Sequence, residues 1–270
     1  MTPSPQLQNS PASRFLLYVG RIWYLTAAAG QAAFVWMILA HYGRRTLAGD
    51  YAGWNDKPLI KGYVAGDDAG NLLFALHVLL ATVITLSGLW QLIPAARRRW
   101  PALHRWNGRL FMFIACVMAC SGLWLTWARH TWLSLISAAA VSLNGALILL
   151  FVALAWRFAV RRDIARHQKW AMRAVLAVNG VWFLRVGIMG WALLSGGLGM
   201  TDSLSGPADT VLVFGAYLIP LGVLELWFLA RSRQSRALNG AAGAVILVMT
   251  AFMALGIAGA IAIMWGPYML

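Results

Sequence analysis

The chain has 270 residues, of which 61% are hydrophobic and only 11% are charged. In an ordinary soluble domain about a quarter of the residues are charged. This composition therefore excludes that class and indicates a protein that lies in lipid. The formal net charge is +14, but the basic residues form short clusters between apolar runs, so we expect no nucleic-acid partner.

Seven apolar runs are long enough to cross a bilayer, which takes about 20 helical residues for a hydrocarbon core of roughly 30 Å. Their approximate bounds are 19–40, 72–94, 108–128, 132–156, 170–196, 209–230 and 239–266. No charge precedes Arg14, so the positive region of a signal peptide is missing and we expect the first run to stay as a helix. The sequence predicts one all-α membrane domain over residues 1–270.

Lys and Arg are distributed unevenly between the connections of these runs. Sixteen lie on the side of the amino terminus and five on the opposite side, where six of the eight acids also lie. The positive-inside rule therefore predicts a cytoplasmic amino terminus, an outer carboxyl terminus and a bacterial-type inner membrane. We expect the inner arginine clusters to contact anionic lipid head groups.

The longest connection is the outer loop 41–71, which is rich in Gly, Asp and Tyr and has no clear period. Loops of this length are often functional or partly disordered. No other connection is long enough to hold a soluble domain.

The predicted topology gives each of the five histidines a side. His77 lies 17 residues before Pro94, about 25 Å from the inner end of the second helix, and is therefore near the outer face. His130 and His41 are on the same side. The inner side holds His104, which opens the third helix, and His167, which opens the fifth.

The two inner histidines lie in similar segments. Leu103-His104-Arg105-Trp106 with Arg109 is echoed by Arg166-His167-Gln168-Lys169-Trp170 with Arg173. This similarity predicts that the hairpins of helices 2–3 and 4–5 are a degenerate repeat, packed as a four-helix core.

Such a core would pair His77 with His130 and His104 with His167. Paired neutral imidazoles on facing helices are the axial ligands of low-spin b-type haem, so the pattern predicts haem b and electron transfer across the membrane. The alternative is that the histidines at the interface are amphipathic anchors among Arg and Trp. No metal other than haem iron is expected.

Arg185 lies in the fifth run at nearly the depth of His77. A buried arginine requires an anion, for which the candidates are Asp67, Asp68, a lipid phosphate or a haem propionate. The alternative is that its side chain extends to the outer head groups.

Three further sets of intramembrane residues have structural interpretations. We expect Glu225 to form an ion pair with an inner arginine, and Asn144 and Asn179 to hydrogen-bond between helices. Cys116 and Cys120 are interpreted as small packing residues, because their spacing is not that of a CxxC pair.

One stretch resembles the signature of a large family of bacterial predicted membrane proteins, a domain of unknown function. Its residues are His77, Gly88, Gln91, Leu92, Pro94, Arg97, Pro101, His104, Arg105, Trp106, Gly108 and Arg109, followed by His167, Trp170, Met172, Arg173 and Arg185. The resemblance covers roughly residues 70–190 and implies no established activity. A weaker similarity is to diheme b-type cytochromes that move electrons from ascorbate, and it implies histidine pairs between helices 2 and 4 and between helices 3 and 5.

Two other functions remain open on the sequence. A transporter or assembly factor would use Arg185 and His77 along an anion or proton path. A membrane-embedded metal-dependent hydrolase would use His41, His77 and His130 with Asp67 or Asp68, although no HExxH spacing is present.

Overall fold

A computed structural model describes residues 10–57, 61–233 and 235–269, and over these ranges the chain is helical with no strand. The helices are α1 Pro11–Ile38, α2 Arg44–Ala48, α3 Asp68–Gln91, α4 Pro94–Arg99, α5 Pro101–Trp127, α6 Leu135–Val160, α7 Ile164–Val178, α8 Gly180–Ser195, α9 Pro207–Arg233 and α10 Arg236–Gly259. Both α1 and α10 continue into a turn of π-helix, at Leu39–Gly43 and Ala260–Trp265. The predicted all-α membrane fold is confirmed.

The first and last long helices run parallel to each other. Near their starts Asn239 Nδ2 donates to Ser13 Oγ over 2.9 Å. At the other end Trp36 Nε1, in the last turn of α1, donates to the carbonyl oxygen of Met269, which follows the last helix, over 3.3 Å. In the described residues six helices are long and apolar enough to span, and the pair α7 and α8 qualifies as one span bent by 54°. Parallel first and last spans require an odd number of crossings, so the bent pair is the fifth of seven.

The two ends of the bundle differ in their connections. We call the end that holds α4 and the α6–α7 turn the arginine-rich end, and the end that holds residues 44–67 the loop end. The start of α1 lies at the arginine-rich end, where Leu16 and Val19 pack against Ala230 of α9.

The predicted four-helix core is present in α3, α5, α6 and α7. Its buried side chains include Ile84, Phe111, Phe151 and Val175, one from each helix in turn. The second half of the fifth span leaves this core. In α8 Trp182, Val186 and Met189 pack instead against α1 and α10.

The break between α7 and α8 follows from polar side chains, since no proline is present there. Asn179 Nδ2 donates to the carbonyl oxygen of Val175 over 2.8 Å and so caps its own helix. A Cβ at Gly180 would lie 2.7 Å from Asn144 Nδ2, which shows how closely α6 approaches the bend. The expectation that Asn179 bonds between helices is wrong, because its amide is used within α7.

Much of the predicted outer loop is folded over the bundle. Trp54 is 2% exposed and packs on Phe74 of α3, at a ring separation of 5.8 Å. Arg45 joins Asp50 at 3.4 Å and Asp56 at 2.6 Å. Residues 58–60 of this loop lie outside the described residues.

We expect Gly256→Ala to lower the stability of the bundle. A Cβ there would overlap the backbone oxygen of Val186, which no side-chain rotation can relieve, so α10 and α8 would have to separate. The expected cost is about 1–3 kcal/mol. Thermal unfolding in detergent measures it, with Gly240→Ala as the control because the Cβ of that variant meets no atom within 4 Å. Equal midpoints for the two variants would contradict the tight contact.

Candidate functional site

At the arginine-rich end two histidines are presented in the same way by two helices. His104 is the fourth residue of α5 and His167 the fourth residue of α7. Proline starts α5, and Asp163 caps α7 by accepting a hydrogen bond from the amide of Arg166 over 3.1 Å. Both imidazoles therefore lie one turn inside their helices, at the same end of the four-helix core.

The structure brings these two imidazoles close enough to interact electrostatically. His167 Nδ1 lies 2.9 Å from the carbonyl oxygen of Ala155. A carbonyl only accepts, so Nδ1 carries the proton and Nε2 of the neutral ring keeps its lone pair. His104 Nδ1 is buried without a partner among the described residues, while the His104 carbonyl accepts from Gln91 Nε2 over 2.9 Å.

The aromatic and basic residues beside the histidines repeat as well. The Arg109 guanidinium lies 4.7 Å from the Trp106 ring centroid, and that of Arg173 lies 4.4 Å from the Trp170 ring centroid. Arg173 also donates twice to Glu225, at 2.7 and 2.9 Å, which confirms the expected ion pair. The similarity seen in the sequence thus extends to the contacts of the two segments.

The two histidines predicted as an outer pair have different surroundings. His77 Nδ1 hydrogen-bonds Ser121 Oγ of α5 over 2.8 Å, inside the bundle. His130 is exposed, adopts φ 53° in the turn after α5, and has Trp132 as its ring neighbour. In the described part of the chain no hydrogen bond or ring contact joins His77 to His130.

Arg129, just after α5, binds the loop residues 62–71 at the loop end. This residue was not singled out from the sequence. It is 6% exposed, contacts Asp67 at 3.0 Å and donates to the carbonyl oxygens of Gly62 and Gly70 and to Asn71 Oδ1. Asp67, one of the partners considered for Arg185, is therefore paired with Arg129 instead. The role of Arg129 could not be predicted from the sequence, because its partners lie about sixty positions earlier in the chain.

Arg185 lies in α8 and is half-buried. It donates to the carbonyl oxygen of Val181 over 3.1 Å, lies 5.4 Å from the Phe34 ring centroid and interacts electrostatically with Tyr42 and Lys57. None of the eight side-chain carboxylates, all within the described residues, pairs with it. His77 was proposed from the sequence to share a path with Arg185, but no hydrogen bond or ring contact joins the two among the described residues.

A cavity of about 360 Å³ lies at the loop end. Its lining residues are Ala40, His41, Arg44, Arg45, Ala48, Asp50, Pro267 and Tyr268. His41 is 2% exposed, accepts from Arg45 and lies 5.0 Å from the Tyr268 ring. Tyr268 could not be identified from the sequence, because the packing of the last helix on the first brings it to His41.

The candidate ligands of a hydrolytic metal do not form a cluster. Within the ranges that the structure describes, no three His, Cys, Asp or Glu side chains are placed to hold a metal ion. His41 contacts Arg45, His77 contacts Ser121 and Asp67 contacts Arg129.

We expect Arg129→Met to destabilise the loop end by about 3–5 kcal/mol, because it leaves Asp67 and three oxygen acceptors without their donor. Thermal unfolding and limited proteolysis within residues 61–71 measure the effect. Arg44→Met is the control, since Arg44 is exposed and forms no ion pair in the described chain. A protease pattern and midpoint equal to the wild type would show that the network is not structural.

Comparison with known proteins identifies a family for this chain but no activity. Residues 74–228, more than half of the chain, match the family described as Predicted membrane protein (DUF2306). No curated protein and no solved structure matches the chain. The matched range contains both segments of the arginine-rich end together with Arg129 and Arg185, so the chain belongs to this family of predicted membrane proteins of unknown function.

Proposed function

We propose that this membrane protein binds b-type haem between His104 and His167 and takes part in electron transfer at the arginine-rich end. The observation that carries the proposal is that two helices of the four-helix core each present an imidazole from their fourth residue at the same end of that core, within electrostatic range of each other. Imidazole pairs from facing helices are what a low-spin haem iron requires.

The state of each ring fits a ligand role. The carbonyl oxygen of Ala155 fixes the His167 tautomer and leaves Nε2 free, which is how a backbone acceptor usually orients a metal-binding histidine. The His104 ring makes no hydrogen bond among the described residues, and its Nδ1 is buried. A buried polar atom without a partner costs about 1–3 kcal/mol, so a ligand there would be stabilising.

The charges around the pair fit the acidic groups of haem. Arg97 and Arg105 both act electrostatically on His104. Guanidinium groups bind carboxylates by charge-assisted hydrogen bonds, so these residues would hold the propionates. When bound, haem supplies one-electron redox chemistry, and the chain supplies its position, its charge environment and the exclusion of water.

The proposal uses the inner pair alone. His77 is hydrogen-bonded to Ser121 and His130 lies exposed in a turn, so a second haem between them has no supporting contact. The pairing of His77 with His130 remains a prediction from the sequence.

We also infer that the arginine-rich end faces the cytoplasm, in an inner membrane. The support is the charge asymmetry of sixteen basic residues against five. Because α1 starts at the arginine-rich end and the last helix ends at the loop end, the described ends of the chain would lie on opposite sides of the bilayer.

The haem proposal predicts a b-type spectrum in protein purified from haem-supplied cells. We expect a Soret band and an α band in the reduced-minus-oxidised spectrum, and roughly tenfold less haem per protein in His104→Ala and in His167→Ala. His130→Ala is the matched control and should keep the full haem content. A wild-type protein without a Soret band, or a double variant that retains it, would overturn the proposal.

The orientation predicts the behaviour of reporter fusions. A green fluorescent protein fused after Arg233 should fluoresce and alkaline phosphatase at that point should be inactive, because this connection lies at the arginine-rich end. Fusions after the last residue should give the reverse pattern. The same pattern at both points would contradict the seven crossings, and a complete inversion would contradict the cytoplasmic arginine-rich end.

A further inference from the structure

The bend in the fifth span borders a small cavity inside the bundle. Its volume is about 20 Å³, and its lining residues come from α1, α3, α7 and α8. The walls are apolar except for the side chains of Tyr24, Gln31 and Asn179 and the indole of Trp23. Among the described residues no charged side chain lines the cavity.

The two amide side chains of this cavity lie near the middle of the bilayer. Gln31 lies 12 residues into the apolar run 19–40, and Asn179 lies 9 residues into the run 170–196. At 1.5 Å per helical residue these positions are roughly 18 and 14 Å deep in a hydrocarbon core of roughly 30 Å. Bulk water and lipid head groups are therefore too far away to hydrogen-bond either amide.

Gln31 is the polar side chain of the cavity that lacks a partner. It is 5% exposed and makes no hydrogen bond among the described residues. Tyr24, by contrast, donates to the carbonyl oxygen of Leu89 over 3.1 Å. Asn179 uses Nδ2 on its own helix, which leaves its Oδ1 as an acceptor. A buried amide without hydrogen bonds is destabilising, so Gln31 requires a partner that enters the cavity.

The interrupted backbone of the fifth span adds further polar groups at the same place. Because α7 ends at Val178 and α8 begins at Gly180, the helical hydrogen bonds do not continue across the bend. The last carbonyls of α7 and the first amides of α8 then lack helical partners. Val175 and Leu176 of the last turn of α7 line the cavity, so this part of the backbone borders it. Ordered water is one of the means by which broken membrane helices satisfy such groups.

The size and the lining of the cavity decide which ligand fits. One water molecule needs about 10–15 Å³ of cavity and two to four polar partners. The volume of about 20 Å³ is therefore enough for one water. It is far too small for an organic ligand, which takes roughly 300 Å³ or more. An ion would lie in the bilayer without a counter-charge, at a much higher cost than a neutral molecule.

We propose that one water molecule is bound at the bend, between the Gln31 side chain, Asn179 Oδ1 and the interrupted backbone of the fifth span. The water accepts a hydrogen bond from Gln31 Nε2 and donates to Asn179 Oδ1 and to a carbonyl oxygen of α7. It thus replaces hydrogen bonds that a continuous helix would make, and it connects the first span to the bend. The site goes beyond the haem proposal and shares no residue with His104 and His167.

The first experiment detects the water by proton-detected solid-state NMR of the full-length protein in phosphatidylcholine bilayers. The chain has six glutamines, so glutamine labelling gives six side-chain amide signals, and the signal missing from Gln31→Leu is that of Gln31. We expect magnetisation transfer from water protons to the Gln31 amide, because the bound water lies within hydrogen-bond distance. Exposed Gln168 is the positive control. Transfer to Gln168 but none to Gln31 would overturn the proposal.

A cavity-filling variant tests whether this water lies in the cavity. Ala27 is 2% exposed and lines it, and the two methyl groups added by Ala27→Val take the space of the water. We expect this variant to keep the Gln31 signal and to lose the transfer from water. Transfer that persists in Ala27→Val places the water elsewhere and contradicts the site.

The sign of a stability change distinguishes a hydrated amide from a dry one. If the amide were dry, Gln31→Leu would remove an unsatisfied polar group and would raise the thermal midpoint. With the water bound, the variant takes away one of its partners, so we expect the midpoint to fall by roughly 2–4 °C. Gln168→Leu is the matched control, because Gln168 is exposed, and it should leave the midpoint unchanged. A midpoint for Gln31→Leu equal to or above that of the wild type is the result that rejects the bound water.

Discussion

Lipid cannot hydrogen-bond a backbone amide or a charged side chain, so each polar group that this chain carries into the bilayer needs a partner inside the protein. Most of the chain meets this constraint with helices and a few specific pairs. Arg129 has Asp67 and three oxygen acceptors, and Arg173 has both oxygens of Glu225. Several buried polar atoms of the described residues nevertheless have no partner, and His104 Nδ1 and the indole nitrogens of Trp182 and Trp265 are among them.

The bend in the fifth span gives its two halves different neighbours. Its first half, α7, belongs to the four-helix core and carries His167 to the arginine-rich end. Its second half, α8, turns by 54° toward α1 and α10 and carries Arg185 into a different set of neighbours. After the bend, Arg185 lies 5.4 Å from the Phe34 ring of the first span.

The repeated segments at the arginine-rich end give the core its local symmetry. In both, a histidine at the fourth helical position precedes a tryptophan whose ring lies against the arginine three residues later. The two segments nevertheless differ in the hydrogen bonds of their imidazole rings. His167 is oriented by the carbonyl oxygen of Ala155, whereas the ring of His104 has no protein partner in the described chain. The placement of the two histidines is therefore equivalent, but their hydrogen bonding is not.

The sequence by itself determined the membrane class, the seven crossings, the four-helix core and the similarity of the two inner histidine segments. These follow from run length, hydropathy and local spacing, which depend on neighbours along the chain. It also indicated the ion pair of Glu225, because an intramembrane carboxylate has few other options. Only the tertiary structure decided that Asp67 pairs with Arg129, that the fifth span breaks at Asn179, and that Tyr268 beyond the last helix packs on His41. The partners in these contacts are more than fifty positions apart in the sequence. No local pattern records which helix faces meet, since that is set by the packing of the whole bundle.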